Sequence, residues 1–241
     1  MEFITTKYRL GVLIPSSNTS VEEELGHTLP KEVSLHSSRL SHLSGVEPKA
    51  IEAMVRDVER ASTLIASAGM DLLVLFATIP SLFHGKGFDE KIAKRMEELT
   101  GTKTITTSTA MLEALNIVGT KKLVLGTPFI NSVNDKIVHF LESNGFEVLL
   151  YKGLGIEDNL SIGRLPPQSA FDLAIEIDQS DADTVLLACT NWRTLPMIES
   201  IEFHLKKPVI TTTQASLKAI LTTLSLPYSG ISLGKLFQKS T

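Results

Sequence analysis

The sequence predicts an α/β protein made of two similar Rossmann-like halves, each a parallel sheet covered by helices. Three observations support this. Short runs of Val, Ile and Leu recur along the chain, helical patterns fill the stretches between them, and parts of the second half repeat parts of the first. Apolar runs of four to six residues suit strands buried on both faces, as in a parallel sheet. Strand–helix alternation of this kind predicts a doubly wound architecture.

The elements follow in order. Leu10–Pro15 reads as the first strand, and Ser16–Ser20 forms a polar turn into a helix that opens Val21-Glu22-Glu23-Glu24. Ser20 with Glu23 suits a capping box, and glutamates suit the first turn of a helix. Lys49–Ala68 is helical, with Ile51, Met54, Val58, Ala61 and Ile65 forming a core-facing stripe. Leu72–Ala77, Leu123–Gly126, Val148–Tyr151 and Val185–Ala188 read as further strands. Between and after them lie helical patterns over Glu90–Leu99, Ser108–Leu115, Asn131–Ser143, Pro167–Gln179, Thr194–Leu205 and Thr213–Leu224.

The repeat is direct. Ile105–Leu115 aligns without a gap onto Ile210–Ile220, and Leu73–Thr78 onto Val185–Thr190; Gly11–Pro15 matches Leu123–Thr127. The expected division gives residues 1–115 plus 214–241 to an N-terminal half and 116–213 to a C-terminal half. A pseudo-twofold axis relates them. Parallel sheets place ligands outside the carboxyl ends of their strands, so facing halves would share one cleft, lined by the residues that follow each strand.

Composition narrows the function classes. Hydrophobic content of 43% and charged content of 21% over 241 residues suit a globular chain with a substantial core. A net charge of -4, with Lys and Arg scattered, argues against a nucleic-acid partner. Met1–Arg9 carries no signal-peptide core and no run has the length to cross a bilayer, so no membrane role is expected. One cysteine excludes an internal disulfide and a Cys-based metal cluster, and fits a reduced cytoplasmic setting.

Two strand ends carry the chemistry. After the first strand, Ser16, Ser17, Asn18, Thr19 and Ser20 crowd one turn. They could simply cap the helix. Backbone N–H groups at a helix start, together with Asn18, would also cradle a carboxylate. After Val185–Ala188 come Cys189, Thr190 and Asn191, leading into a helix. A free cysteine can be a small buried hydrophobe. At this position, positive partial charge at the helix N-terminus would stabilise a thiolate, flanked by Thr190 and Asn191. The repeat pairs Cys189 with Ala77. Two facing thiols would suit racemisation, one removing a proton and the other returning it; a chain with one thiol excludes that.

Six histidines (His27, His36, His42, His84, His139 and His204) form no i,i+4 pair or His–Glu metal motif. No Gly-x-Gly-x-x-Gly follows the first strand and no phosphate-binding Lys loop occurs, so no cofactor is expected. Gly85 and Gly87 read as turn residues.

At these strand ends the chain resembles the aspartate/glutamate racemase superfamily, in its maleate cis–trans isomerase and arylmalonate decarboxylase branch. Pro15-Ser16-Ser17-Asn18-Thr19 resembles the isomerases' first-strand motif, which implies that Asn18, with Ser17 beside it, holds a substrate carboxylate. Leu187–Thr194 resembles the motif that carries the second catalytic cysteine, here Cys189. Gly155–Asn159 with Ile162-Gly163-Arg164 resembles a segment supplying a substrate-binding Asn, here Asn159. Two positions depart from the pattern. Ala77, before Thr78, stands where the first, nucleophilic cysteine is usual, and Phe129 stands where a substrate-binding Tyr is usual. Ile79 and Pro80 replace a Ser and a Gly, removing a hydroxyl and an N–H donor. Arylmalonate decarboxylase also works with a single cysteine in the second position.

The resemblance implies a cofactor-independent lyase or isomerase acting on a small carboxylate or dicarboxylate. The leading expectation is decarboxylation of a malonate-type acid: Asn18, Thr78 and backbone N–H groups hold one carboxylate, and Cys189 protonates an enediolate. The alternatives are an isomerase or racemase tolerating or inactivated by Ala77, and a carboxylate-binding protein without turnover. The family background allows for homodimers. Substrate identity turns on pocket-lining side chains from loops such as Ser37–Glu47.

Overall fold

The structure, a computed structural model, describes residues 6–41, 48–228 and 230–238. Two four-stranded parallel sheets form it. The first contains β1 (Tyr8–Pro15), β2 (Val33–Leu40), β3 (Leu72–Leu75) and β4 (Thr104–Thr106), in the spatial order β2-β1-β3-β4. The second contains β5 (Lys122–Thr127), β6 (Glu147–Gly153), β7 (Thr184–Leu187) and β8 (Val209–Thr211), in the order β6-β5-β7-β8. Every pairing is parallel and the two orders are the same. The expected pair of similar α/β halves is therefore the observed fold.

Helices cover both sheets. α1 (Ser20–Thr28), α2 (Pro48–Ala66), α3 (Thr78–Leu82), α4 (Phe88–Thr100) and α5 (Thr107–Val118) belong to the first run of strands. α6 (Asn131–Ser143), α7 (Asn159–Ile162), α8 (Gln168–Ile177), α9 (Ile198–Leu205), α10 (Thr212–Thr223) and α11 (Gly234–Gln238) follow. The helix expected over Thr194–Leu205 is instead a 3-10 turn, Leu195–Met197, running into α9; Pro196 lies at its start, where a missing N–H costs nothing.

Burial explains the central strands, whereas β6, also marked by an apolar run, is an edge strand with Leu150 and Tyr151 exposed. β3 and β7 are buried at every residue, and β1 along all but its first two. Each buried Val, Leu or Ile contributes about 1.5–3 kcal/mol of apolar transfer free energy. In α2 the stripe Ile51, Met54, Val58, Ala61 and Ile65 is buried as expected. The repeat is visible in the caps of α5 and α10, which pack against each other. Thr106 accepts the N–H of Thr109, and Thr211 accepts that of Gln214 within a full capping box. The register moves one part of the repeat: Leu13 pairs with Leu75 and Gly126 with Leu187, so β1 matches β5 one residue later than the sequence alignment places it.

Three strands go beyond the sequence reading. β2 is a half-exposed edge strand of mostly polar residues, and it takes in Ser37–Leu40, which the sequence reading assigned to a loop. β4 and β8 are three residues each. Residues 42–47, the rest of that expected pocket loop, lie outside the described residues.

Candidate active site between the strand ends

The carboxyl ends of β1, β3, β5 and β7 meet around a cavity of about 40 Å³. That is space for roughly three water molecules, so a ligand must be small or the walls must give. Asn18, Ala77, Thr78, Ile79 and Pro80 line it from the first half, with Ile51 and Met54 of α2. Phe129, Asn159, Cys189, Thr190 and Asn191 line it from the second. Of the residues singled out from sequence, all but Ser17 lie on this wall, and Ser17 is bonded to it.

Asn18 does two jobs with its two amide atoms. Its Oδ1 accepts the N–H of Ser20 and of Val21, each at 3.1 Å, and so caps α1. The capping role expected of Ser20 thus belongs to Asn18, because Ser20 is already inside the helix and its hydroxyl donates to the Asn191 carbonyl at 2.9 Å. Asn18 Nδ2 lies 3.3 Å from Thr190 Oγ1. An amide nitrogen has two hydrogens, so one remains for a ligand.

The halves are also tied directly. Asn159 Nδ2 donates to Ser17 Oγ at 2.6 Å, and Asn191 Nδ2 donates to the Asn159 carbonyl at 2.7 Å. Asn191 Oδ1 accepts the N–H of Thr19 at 3.1 Å. Both polar atoms of Asn191 are therefore engaged in holding the cleft together. Gly163 permits this, since a Cβ there would sit 3.1 Å from the Asn191 amide. Asp158 caps α7 and so fixes where Asn159 begins.

Cys189 follows β7 and is buried, with the Asn191 N–H 3.4 Å from its sulfur. Burial pushes the thiol up to about 12, against a smaller downward pull from the N–H groups of Asn191 and Trp192; the charge of Glu24 adds to the rise. The helix-start thiolate expected from sequence does not form, because desolvation outweighs the backbone dipoles. The group is a protonated thiol. Ala77, lining the same cavity, occupies the matching turn before α3.

Thr78 and Thr190 also match, but their surroundings differ. Thr190 Oγ1 lies 3.5 Å from the Phe76 carbonyl and accepts from Asn18. Thr78 Oγ1 is buried with no protein partner. A buried hydroxyl without a partner costs roughly 1–3 kcal/mol, and on a cavity wall it is a ready ligand contact.

Two kinds of site residue escaped the sequence reading. By sequence Ile51 and Met54 read as core residues, yet they form part of the apolar wall of the cavity. Glu24 was assigned to a helix first turn, yet it is buried, and Oε1 accepts the N–H of Thr194 and of Leu195, both at 2.9 Å. Its position with Val21 and Leu25 on the buried face was the available signal. Among the described residues, no group of three or more His, Cys, Asp or Glu side chains is placed to hold a metal ion. No helix among them is long and apolar enough to cross a membrane.

Fold and cavity together define a two-sheet α/β protein whose strand-end site is shared by its halves. The chain belongs to the arylmalonate decarboxylase family, whose model matches residues 10–237. It is 28% identical over 236 residues to a maleate isomerase of Pseudomonas putida, covering 92% of this chain and 94% of the relative. It is 26% identical over 208 residues to an arylmalonate decarboxylase of Bordetella bronchiseptica, covering 86% of each. A Nocardia farcinica maleate cis–trans isomerase, solved as a mutant with a covalently bound succinylcysteine intermediate, superposes with a TM-score of 0.91. That match has 27% identity and covers 97% of this chain and 99% of the other.

Proposed function

We propose that the protein is a cofactor-independent enzyme that decarboxylates a small malonate-type acid, with Cys189 as proton donor. The observation that carries this reading is the matched pair Cys189 and Ala77 lining one cavity: one buried thiol held at about 12 and one methyl group. At neutral pH such a sulfur has a proton to give rather than a charge with which to attack.

The substrate's retained carboxylate accepts from Asn18 Nδ2 and the Thr78 hydroxyl. The second carboxylate faces the apolar wall of Ile51 and Met54, where its charge is poorly solvated. Its bond to the central carbon breaks, carbon dioxide leaves, and the electron pair passes into an enediolate on the retained carboxylate, which those donors stabilise. The Cys189 S–H then protonates the central carbon from one side. The thiolate so formed accepts from the Asn191 N–H until water returns the proton. The tightness of the cavity favours a small substituent on the substrate.

The isomerase alternative is supported by the maleate isomerase relatives, which align over more than nine-tenths of the chain. It would need chemistry that works without a thiol at Ala77. A reduced cytoplasmic setting and a homodimer complete the proposal; the single cysteine supports the first and the family resemblance the second.

Phenylmalonate, methylmalonate, maleate and aspartate incubated with the protein in heavy water, followed by proton NMR, separate the readings. Carbon dioxide release with one deuterium per product supports decarboxylation, and it should drop by about 10²–10⁴-fold in Cys189→Ala. Undiminished decarboxylation in that variant removes Cys189 as the donor.

A further inference from the structure

α1 of the first half grips the segment just after Cys189 at four successive points. Thr19 N–H reaches Asn191 Oδ1 at 3.1 Å, and Ser20 Oγ reaches the Asn191 carbonyl at 2.9 Å. Glu23 pairs with Arg193 at 2.9 Å, and Glu24 Oε1 accepts from Thr194 and Leu195. Glu24 is the buried member of this set; its Oε2 has no protein partner, nor do the buried Thr194 and Thr213 hydroxyls. A carboxylate in that position carries a large desolvation cost unless something offsets it, which is more than a splint requires. A glutamine would accept the same two N–H groups.

We propose that Glu24 is a positioning residue for Cys189: it braces the turn behind the thiol from the opposite half, and its charge adds to the field at the sulfur. This deepens the proposed function and rests on Cys189 being its working group. Burial raises the Glu24 carboxyl to about 7, against the N–H of Leu195, the nearby Thr213 hydroxyl and the N–H of Thr194; the charge of Glu23 adds to the rise. The other ionisable groups around it are accounted for. On its own helix, Glu23 is tied to Arg193, and His27 bonds the Glu23 carbonyl. Glu199 of α9 lines a neighbouring cavity with Glu24 and bonds Ser232. In β2, Arg39 is bound to Glu22 and the Asn18 carbonyl, and in α10 Lys218 lies over the Tyr228 ring. Burial thus brings the Glu24 carboxyl toward neutrality, and its charge acts on the Cys189 thiol.

Cys189 is the one cysteine in the chain, so its alkylation by iodoacetamide, read by intact mass, reports a single sulfur. Thiolate fraction rises tenfold per pH unit at constant thiol pKa. In the native protein, ionisation of Glu24 raises that pKa. The logarithm of the rate should therefore climb, rise less steeply across about pH 6–8, and climb again at full slope, with an offset of about threefold or more between the two limbs. Glu24→Gln keeps an acceptor for both N–H groups and should give one straight line. A variant that merely loosened the turn would raise the whole curve and keep the inflexion. A straight line in the native protein, or an inflexion that persists in Glu24→Gln, overturns the charge role. Hydrogen exchange at the Thr194 and Leu195 amides should be unchanged in Glu24→Gln and faster in Glu24→Ala; equal protection in Glu24→Ala overturns the bracing role. None of these readouts needs turnover, so they stand apart from whether Cys189→Ala stops decarboxylation.

Discussion

Replacing Thr78 by Val should make the protein more stable and a worse catalyst. Thr78 is 4% exposed and its hydroxyl has no protein partner. Valine keeps the β-branched shape at the start of α3 and removes the oxygen. The free protein then recovers the desolvation cost of that group, about 1–2 kcal/mol. For a chain of this size the gain corresponds to a rise in Tm of about 2–8 °C. In the bound state the same change deletes a hydrogen bond to a carboxylate, worth about 1.5–3 kcal/mol, so kcat/KM should fall by about 10- to 150-fold. Thermal unfolding by circular dichroism and carbon dioxide release on the responsive malonate give the two numbers. A variant that loses stability refutes the unpaired hydroxyl, and one with unchanged kcat/KM refutes Thr78 as a ligand contact.

Ala77→Cys places a second sulfur on the cavity wall, and is expected to raise maleate-to-fumarate conversion well above that of the parent chain. Proton NMR reads it directly, and a folded variant with no such gain argues against a symmetric cleft. Glu24 predicts a stability change with pH. Its folded value of about 7 lies above the ordinary 4.5, so the folded state holds the proton more tightly. The stabilisation is complete below about pH 4.5 and is lost as pH rises through about 7, a total of about 3 kcal/mol. Glu24→Gln, neutral throughout, should match the native protein in denaturant melts near pH 4.5 and exceed it by up to about 3 kcal/mol near pH 8. A constant difference across that range would show that Glu24 does not titrate there.

What the sequence made legible follows from how locally each feature is encoded. The four central strands announced themselves because burial on both faces demands an unbroken apolar run. β2 did not, since one edge faces water and its residues are mostly polar. β4 and β8 are too short to form a run at all. The pairing of Cys189 with Ala77 came from the repeat, and the matching places of β3 and β7 in the two sheets carry it into space. Glu24 was hidden for the opposite reason. Three adjacent glutamates in a first turn satisfy a local rule, while the N–H groups that bind the third are 170 and 171 residues away. Ile51 and Met54 show the same limit, because an apolar stripe looks alike whether it meets a core or a cavity.

The geometry also explains why a repeated fold would carry a one-sided reaction. The turn after β1 brings Asn18, an amide with a hydrogen to spare, to the cavity, whereas the turn after β5 brings Phe129. One matched threonine is engaged and the other is unpaired; one matched turn holds sulfur and the other a methyl. Racemisation needs proton carriers on both faces of the same carbon, so symmetry of the backbone is necessary for it but insufficient. Once a single side chain breaks that symmetry, the surviving thiol can finish a reaction only where the carbanion arises by some other bond cleavage. Loss of carbon dioxide supplies that cleavage without a base, which is why a donor held firmly protonated suits this site better than a nucleophile would.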